Sequence, residues 1–418
     1  MNLLNYLFKI FVFFSFIKKK IIKKKYITTG KKSYKFFIIS LFCAGLANFS
    51  TLYCVQPILP IFSKVFQLNP ARSSLSLSIT TIVMAIGMLF TGNLADVFGR
   101  KRIISYSLFF ASFFTILCSS VSNWHSIVIC RALVGLSLSG VTSVILTYMT
   151  EEIKPSDLAL SVGLYISGNT FGGFFGRFFT SFIVHYYSWN IAIFCIGLIS
   201  FIAFTFFVLY FPSSKNFITE SFCLKTFIKN LILPLKNIQL RILFTIGFIL
   251  MGSFITLFNY VGYRLMIKPF YLNHVIVGFL SVIYLIGVYT SPKAGLLTKI
   301  HGYGKVLIGS LILMLCGLSF TQFNQLIIIF LGLILFTGGF FAAHSISSSW
   351  IGHCSRNSKG YSSSVYLFFY YLGSSFFGTF GGLFWFFGGW LYISCFIYFL
   401  LGLGIFFSAK LINVSQRI

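Results

Sequence analysis

The feature that most limits this chain is a succession of long apolar runs separated by short basic gaps. A helix crossing the ~30 Å hydrocarbon core of a bilayer needs about 20 mostly apolar residues. Six runs approach that length in the first half: Phe36–Phe62, Ser73–Leu94, Ile103–Val121, Ser126–Met149, Leu158–Val184 and Trp189–Phe211. Six more follow: Ile242–Val261, Val275–Leu297, Val306–Phe320, Leu326–Ile351, Tyr361–Phe384 and Trp390–Leu411. Charged residues are 9% of the chain, against about 25% in a soluble domain. A water-soluble enzyme is excluded. The expected fold is an all-α polytopic membrane protein with twelve transmembrane helices.

The widest gap runs from Pro212 to Arg241 and carries Lys215, Lys225, Lys229 and Lys236. It divides the runs six and six. The expected organisation is a basic tail (1–35), a six-helix bundle (36–211), a linker (212–241), a second six-helix bundle (242–411) and a short tail (412–418). Within the first tail, Leu3 to Ile17 is apolar, broken by Lys9 and followed by two lysine triplets. A signal peptide carries its positive charge before the apolar stretch, so this segment is expected to lie on the membrane surface.

Charge supplies the orientation. There are 32 Lys and Arg against 5 Asp and Glu. With both termini cytoplasmic, 26 basic residues fall on the cytoplasmic side and four, Lys64, Arg72, Arg264 and Lys268, on the other. That bias is the positive-inside rule, and it accounts for the basic charge without nucleic acid as a partner. The expected location is a cell membrane, a bacterial inner membrane, with the chain a monomer in the bilayer. Nine cysteines form no C-x-x-C pair, so neither a metal site nor a disulfide framework is expected.

Two marks suggest an internal duplication. In the fifth run Gly168, Gly172 and Gly176 recur every four residues, and in the eleventh Ser374, Gly378 and Gly382 do the same, 206 residues later. Small residues at this spacing let helix backbones approach closely. The string Gly92-Asn93-Leu94-Ala95-Asp96 has a degenerate echo at Gly295-Leu296-Leu297-Thr298-Lys299, 203 residues on.

The first copy of that string continues through Val97-Phe98-Gly99-Arg100-Lys101. It resembles the G-x-L-A-D-x-x-G-R-K signature of the major facilitator superfamily and falls in the same second-to-third helix loop. Gly92 would permit a close helix contact, Gly99 a tight turn, and Asp96 a pairing with Arg100 or a helix N-terminus. The resemblance implies that Asp96 and Arg100, with Gly92, Gly99 and Lys101 around them, latch the two halves together on the cytoplasmic side. Lys299 stands where the second copy would have its acid.

Two basic residues fall inside the membrane away from that edge, Arg131 and Arg177. A buried Arg costs roughly 2.5–3.5 kcal/mol even on insertion scales and normally faces a partner or a watery cavity. Arg131, in Arg131-Ala132-Leu133-Val134-Gly135, resembles the superfamily's R-x-x-Q-G, with Val134 in place of Gln. The fifth run, Gly168-Asn169-Thr170-Phe171-Gly172-Gly173, resembles the antiporter subgroup's G-P-x-x-G-G, with Asn169 in place of Pro. The two arginines should lie at similar depth, so water, backbone carbonyls or an anionic ligand must compensate them.

All five carboxylates, Asp96, Glu151, Glu152, Asp157 and Glu220, map to the cytoplasmic edge. A proton as co-substrate would therefore need an edge carboxylate or a histidine, and His344 is the candidate. The strings Phe341-Ala342-Ala343-His344-Ser345 and Tyr366 to Ser375 look like the acriflavine-sensitivity, drug-efflux-like branch. Gln56-Pro57-Ile58-Leu59-Pro60 resembles the P-x-x-P end of the first helix in drug exporters. The expected cavity residues are Gln56, Arg131, Asn169, Arg177, His344, Tyr366 and Tyr370. No catalytic set and no cofactor is expected. The expected function is secondary transport of a small molecule by alternating access. Proton-coupled multidrug export and a transport-inactive receptor or assembly protein are the rivals. Uncompensated positive charge favours a non-cationic substrate.

Overall fold

A computed structural model describes residues 26–28, 32–216, 224–355 and 359–416. The apolar stretch and lysine triplets of the N-terminal tail lie outside these. Eleven helices are long and apolar enough to cross a membrane. They are α1 (Lys32–Tyr53), α2 (Pro70–Phe98), α3 (Arg100–Ser120), α4 (Trp124–Glu152), α5 (Pro155–Tyr186) and α6 (Trp189–Tyr210), then α7 (Ile238–Met266) and α8, completed at Ile286–His301. After them come α9 (Tyr303–Phe320), α10 (Leu326–Cys354) and one long stretch, Lys359–Gln416.

That last stretch is two crossings. Its 58 residues would extend nearly 90 Å as one helix, about three bilayer cores. Gly388 and Gly389 leave helical backbone, and Gly389 has φ of +60°, a left-handed value that suits glycine. Beyond them Phe396 returns to pack on Phe384 and Phe377, with ring centroids 4.4 and 5.7 Å apart. We label the arms α11 (359–387) and α12 (390–416). The run count from sequence and the fold agree once this reversal is recognised.

Two helices are less regular than the apolar runs suggested. The first breaks after Tyr53, passes through a 3-10 turn (Gln56–Ile58) and resumes as Leu59–Val65. Pro57 and Pro60 supply no backbone N–H, so the ladder has to be interrupted here. The eighth starts as His274–Phe279, tightens to 3-10 over Leu280–Leu285 and then continues. Helix starts are marked by asparagine: the side chains of Asn69 and Asn273 accept from the backbone N–H of Arg72 and Ile276, 2.8 and 2.9 Å away.

The glycine face of α5 does what its spacing implies. A Cβ on Gly168, Gly172 or Gly176 would come 2.7, 2.5 or 2.6 Å from backbone atoms of Phe42, Leu46 and Ser50 on α1. The constant residue offset shows α1 and α5 running parallel, in register. Gly172→Leu would drive a side chain into backbone that cannot yield, at a cost of ~1–3 kcal/mol or more. We expect a large loss of monodisperse protein in detergent size-exclusion. Gly163→Leu on the same helix, where nothing lies within 4 Å, should behave as wild type. Equal yields from both would exclude this packing role.

The second small-residue series behaves differently. Gly382 lies against Ala71 of α2, and neighbouring hydroxyls join the same helices, Thr379 to Ser78 and Ser375 to Thr81, each at 2.7 Å. The face of α11 that meets α7 backbone is one residue earlier, at Gly373 against Phe248. Ser374 itself is buried, and Gly378 faces Ile255 and Asn259 of α7. A four-residue spacing identifies a smooth face but not the helix that fills it.

These α2–α11 contacts belong to one end of the molecule, that of the loops at 66–69 and 267–273. There the hydroxyl of Tyr263 meets Ser63 and Ser73, both at 2.8 Å, and Phe178 of α5 packs on Phe279 of α8. Among the described residues, the hydrogen bonds joining α1–α6 to α7–α12 all lie toward this end or at mid-depth. At the opposite end Gly92 and Gly295 face open space. Gly92 was expected to permit a close helix contact, and in this conformation no partner is near enough to make one.

Candidate functional site: a buried arginine between the two sets of helices

The α1 break creates the site. Where a helix ends, its last carbonyls lose their intrahelical donors. Arg131 of α4 supplies them: its guanidinium donates to the Thr51 and Leu52 carbonyls at 2.9 and 2.8 Å, and to the Ser76 carbonyl of α2 at 3.1 Å. It is 1% exposed. Backbone oxygens therefore compensate this charge, and its side chain pins α1, α2 and α4 together rather than facing a cavity.

Arg177 of α5 is buried differently. Its Nε donates to Gln56 Oε1 at 2.5 Å and one Nη to the Gly173 carbonyl at 2.7 Å. The guanidinium lies between two tyrosine rings, Tyr53 of α1 and Tyr284 of α8, with Cζ 4.0 and 4.4 Å from their centroids. Such contacts contribute about 2 kcal/mol or more when desolvated. No carboxylate pairs with it: both ion pairs among the described residues are made by Arg100.

The amide of Gln56 serves both ends at once. Its Oε1 accepts from Arg177, and its Nε2 donates to Asn259 Oδ1 of α7 at 2.8 Å. Gln56 and Asn259 are 203 residues apart, the spacing between the two G-x-x-x-[D/K] strings. The equivalent turns match too. Gly99 and Gly302, again 203 apart, both adopt left-handed φ, +97° and +80°. Asn259 was not anticipated, although adding 203 to Gln56 would have found it.

A cavity of about 40 Å³ opens beside Arg177, lined by Gln56, Asn259, Ser281 and Tyr284 among others. It has room for a few waters. The Asn259 amide nitrogen and the Tyr284 hydroxyl are buried here without a protein partner. Two donor groups thus border this small space, a guanidinium and a phenol O–H, while the Asn259 amide nitrogen is turned toward Gly378 of α11.

An aromatic track leads away from it. Tyr284 packs on Phe258 and Phe254, Phe254 stacks on Phe340 at 3.9 Å, and His344 follows with Tyr370 and Tyr366. His344 Nδ1 is 2.9 Å from the Tyr366 hydroxyl. The structure thus connects Gln56, Arg177, Tyr370, His344 and Tyr366 in one chain of packed side chains. Asn169 stands apart, against Gly45 of α1. Tyr53, Phe254 and Tyr284, absent from the expected set, complete it. A third buried arginine, Arg264, was counted as an outer-loop charge; it donates to the Thr321 and Phe323 carbonyls at the end of α9 and lies over Trp390.

The Asp96 motif forms its own cluster. Arg100 bridges Asp96 at 2.5 Å and Glu151 of α4 at 2.8 Å. Lys101 donates to the Val208 and Phe211 carbonyls, closing the end of α6. Glu152 accepts the backbone N–H groups of Lys215 and Asn216, both at 2.7 Å. All of these ties are made within α1–α6 and the start of the linker. Glu151, the second acid on Arg100, was the part missed.

The sequence profile of the Major Facilitator Superfamily matches residues 41–378. The chain belongs to this superfamily. It is a multi-pass membrane transporter and not an enzyme. Among its relatives, the inner membrane transport protein YnfM of Escherichia coli is 47% identical over 387 residues, 93% of each chain. An uncharacterized transporter of Buchnera aphidicola from Acyrthosiphon pisum is 55% identical, over 94% of this chain and 96% of its own. A bacterial homologue of the human lysosomal transporter Spinster, solved inward-facing and unoccupied, superposes with a TM-score of 0.75 at 13% identity, covering 93% of this chain and 98% of that one. That last likeness concerns the superfamily fold alone.

Proposed function

We propose that this transporter carries a small organic anion with an apolar or aromatic body across a bacterial inner membrane, by alternating access between α1–α6 and α7–α12. The single observation that supports the substrate class is Arg177. It is a buried cation with no carboxylate partner among the described residues, next to the unpartnered hydroxyl of Tyr284. A carboxylate or similar oxyanion would satisfy both, whereas a cation would add repulsion to desolvation. The adjoining track of Phe254, Phe258, Phe340 and Tyr370 suits the rest of such a molecule.

Both termini are cytoplasmic on this proposal, because the 26 to 4 distribution of basic residues requires it. The closed end seen here then faces outward. The test is uptake into proteoliposomes of matched tracers: an aromatic carboxylate, its neutral amide and an amine of similar size. Transport of the carboxylate alone, or well above the others, is the expected result. Preference for the amine would overturn the substrate class.

The Asp96 cluster is proposed to act in closing the cytoplasmic side, with Gly99 holding the turn and Lys101 fixing α6. Asp96→Asn removes one of the two acids on Arg100. A partly buried charge at a helix end is worth ~0.3–2 kcal/mol, so transport should fall a few-fold to about tenfold. Insertion and yield should be unchanged, because Glu151 still holds Arg100. Full transport at normal expression would remove Asp96 from this role.

A further inference from the structure

Apart from the Arg177 cavity, α8, α9 and α10 leave a groove of about 470 Å³. Its lining is mainly apolar, including Leu297, Leu313 and Ala342, while Lys293, His301 and Lys305 stand around it. The neighbouring outward surface is apolar as well: Leu296 and Tyr289 are 59% and 58% exposed, and Ile312 47%. Surface of that kind on a membrane transporter contacts acyl chains, so the groove opens into lipid rather than into the substrate path.

Among the described residues, the basic residues of this groove have no protein counter-charge. Lys293 lies on α8 eight residues before His301, about 12 Å inside the helix end. Its ammonium contacts only the neutral ring and hydroxyl of Tyr289. From residue 221 to the end of the chain there is no Asp or Glu. Lys299 adds a further positive charge at the same helix end. Cationic side chains at membrane depth are costly unless paired, and here the anion has to come from outside the protein.

We propose that this groove is a binding site for an anionic phospholipid of the leaflet on the Lys-rich side, its acyl chain lying along Leu297, Leu313 and Ala342 and its phosphate meeting Lys293 and Lys305. Two features of the groove carry the choice of occupant. Apolar depth opening onto lipid excludes a freely soluble anion, and basic groups at the rim without a carboxylate select against a zwitterionic headgroup.

The full-length transporter, purified and reconstituted into nanodiscs, tests this with two lipids of identical chains, phosphatidylglycerol and phosphatidylcholine. Native mass spectrometry of wild type should retain phosphatidylglycerol at least several-fold over phosphatidylcholine, and its Tm should rise with the former only. Lys293→Gln with Lys305→Gln should abolish both preferences. Gly309→Leu, which fills the groove while keeping the lysines, should also reduce retention. Equal retention of the two lipids by wild type, unchanged preference in the double variant, or the same Tm shift from soluble glycerol phosphate would each overturn the proposal.

Discussion

Replacing Arg177 by Gln will lower transport of an anionic tracer by roughly 10–100-fold while leaving the protein folded and inserted. The magnitude follows from charge-assisted hydrogen bonds at about 1.5–3 kcal/mol, with 1.4 kcal/mol per factor of ten. In this structure Arg177 donates to two protein acceptors, Gln56 Oε1 and the Gly173 carbonyl. The Gly173 carbonyl lies one helical turn back on its own helix, and Gln56 keeps its bond to Asn259, so the helices stay joined without the guanidinium. Arg177→Lys keeps the charge but loses the planar fork and its seat between Tyr53 and Tyr284, and should recover only part of the rate. A Tm within a few degrees of wild type, measured alongside uptake, separates recognition from stability. If Arg177→Gln carries anions at the wild-type rate, the proposed substrate site is elsewhere.

Arg131→Gln should show the opposite pattern: a fall in Tm of about 10 °C, with poor yield whatever the substrate. Three buried carbonyls on α1 and α2 depend on this one side chain. Leaving buried acceptors unpaired costs about 1–3 kcal/mol each, and breaking a buried charged network ~3–5 kcal/mol in total. Each kcal/mol corresponds to roughly 2–4 °C in a larger domain. Thermal unfolding in detergent, followed by tryptophan fluorescence or light scattering, reads this directly. An unchanged Tm combined with lost transport would return Arg131 to the substrate path.

The two arginines also mark where sequence stops being informative. Their presence inside apolar runs was enough to single both out, because an intramembrane charge is rare for a simple energetic reason. Which one is compensated depended on the break after Tyr53, whose free carbonyls take Arg131. Pro57 and Pro60 announce such a break, but no pattern says which distant side chain will cap it. The same holds for the aromatic track. With 56 Phe and 22 Tyr in the chain, composition could not separate Phe254 and Tyr284 from ordinary membrane-facing rings.

Helix number was legible because hydrocarbon thickness sets a length that apolar runs must match. The α11–α12 reversal needed only two glycines, too little to change hydropathy. The Asp96 string was recognisable from its spacing, whereas Glu151, its partner 51 residues from Arg100, becomes visible only through the packing of α3 on α4. The repeat was legible in part. The offset of 203 residues was present in the G-x-x-x-[D/K] strings, and the structure adds Gln56 with Asn259 and Gly99 with Gly302 to it.

The Gln56 amide has one further consequence. Its oxygen is held by the proposed substrate-binding arginine and its nitrogen by Asn259, in the seam that joins the two sets of helices toward the closed end. An oxyanion arriving at Arg177 competes with that oxygen for the guanidinium and so releases one end of the amide that reaches across to Asn259. Occupancy and closure of that end would then be thermodynamically linked, each weakening the other by the same factor. A single uncharged side chain would act as the exchange point through which substrate affinity is converted into a bias on the transporter's conformational equilibrium.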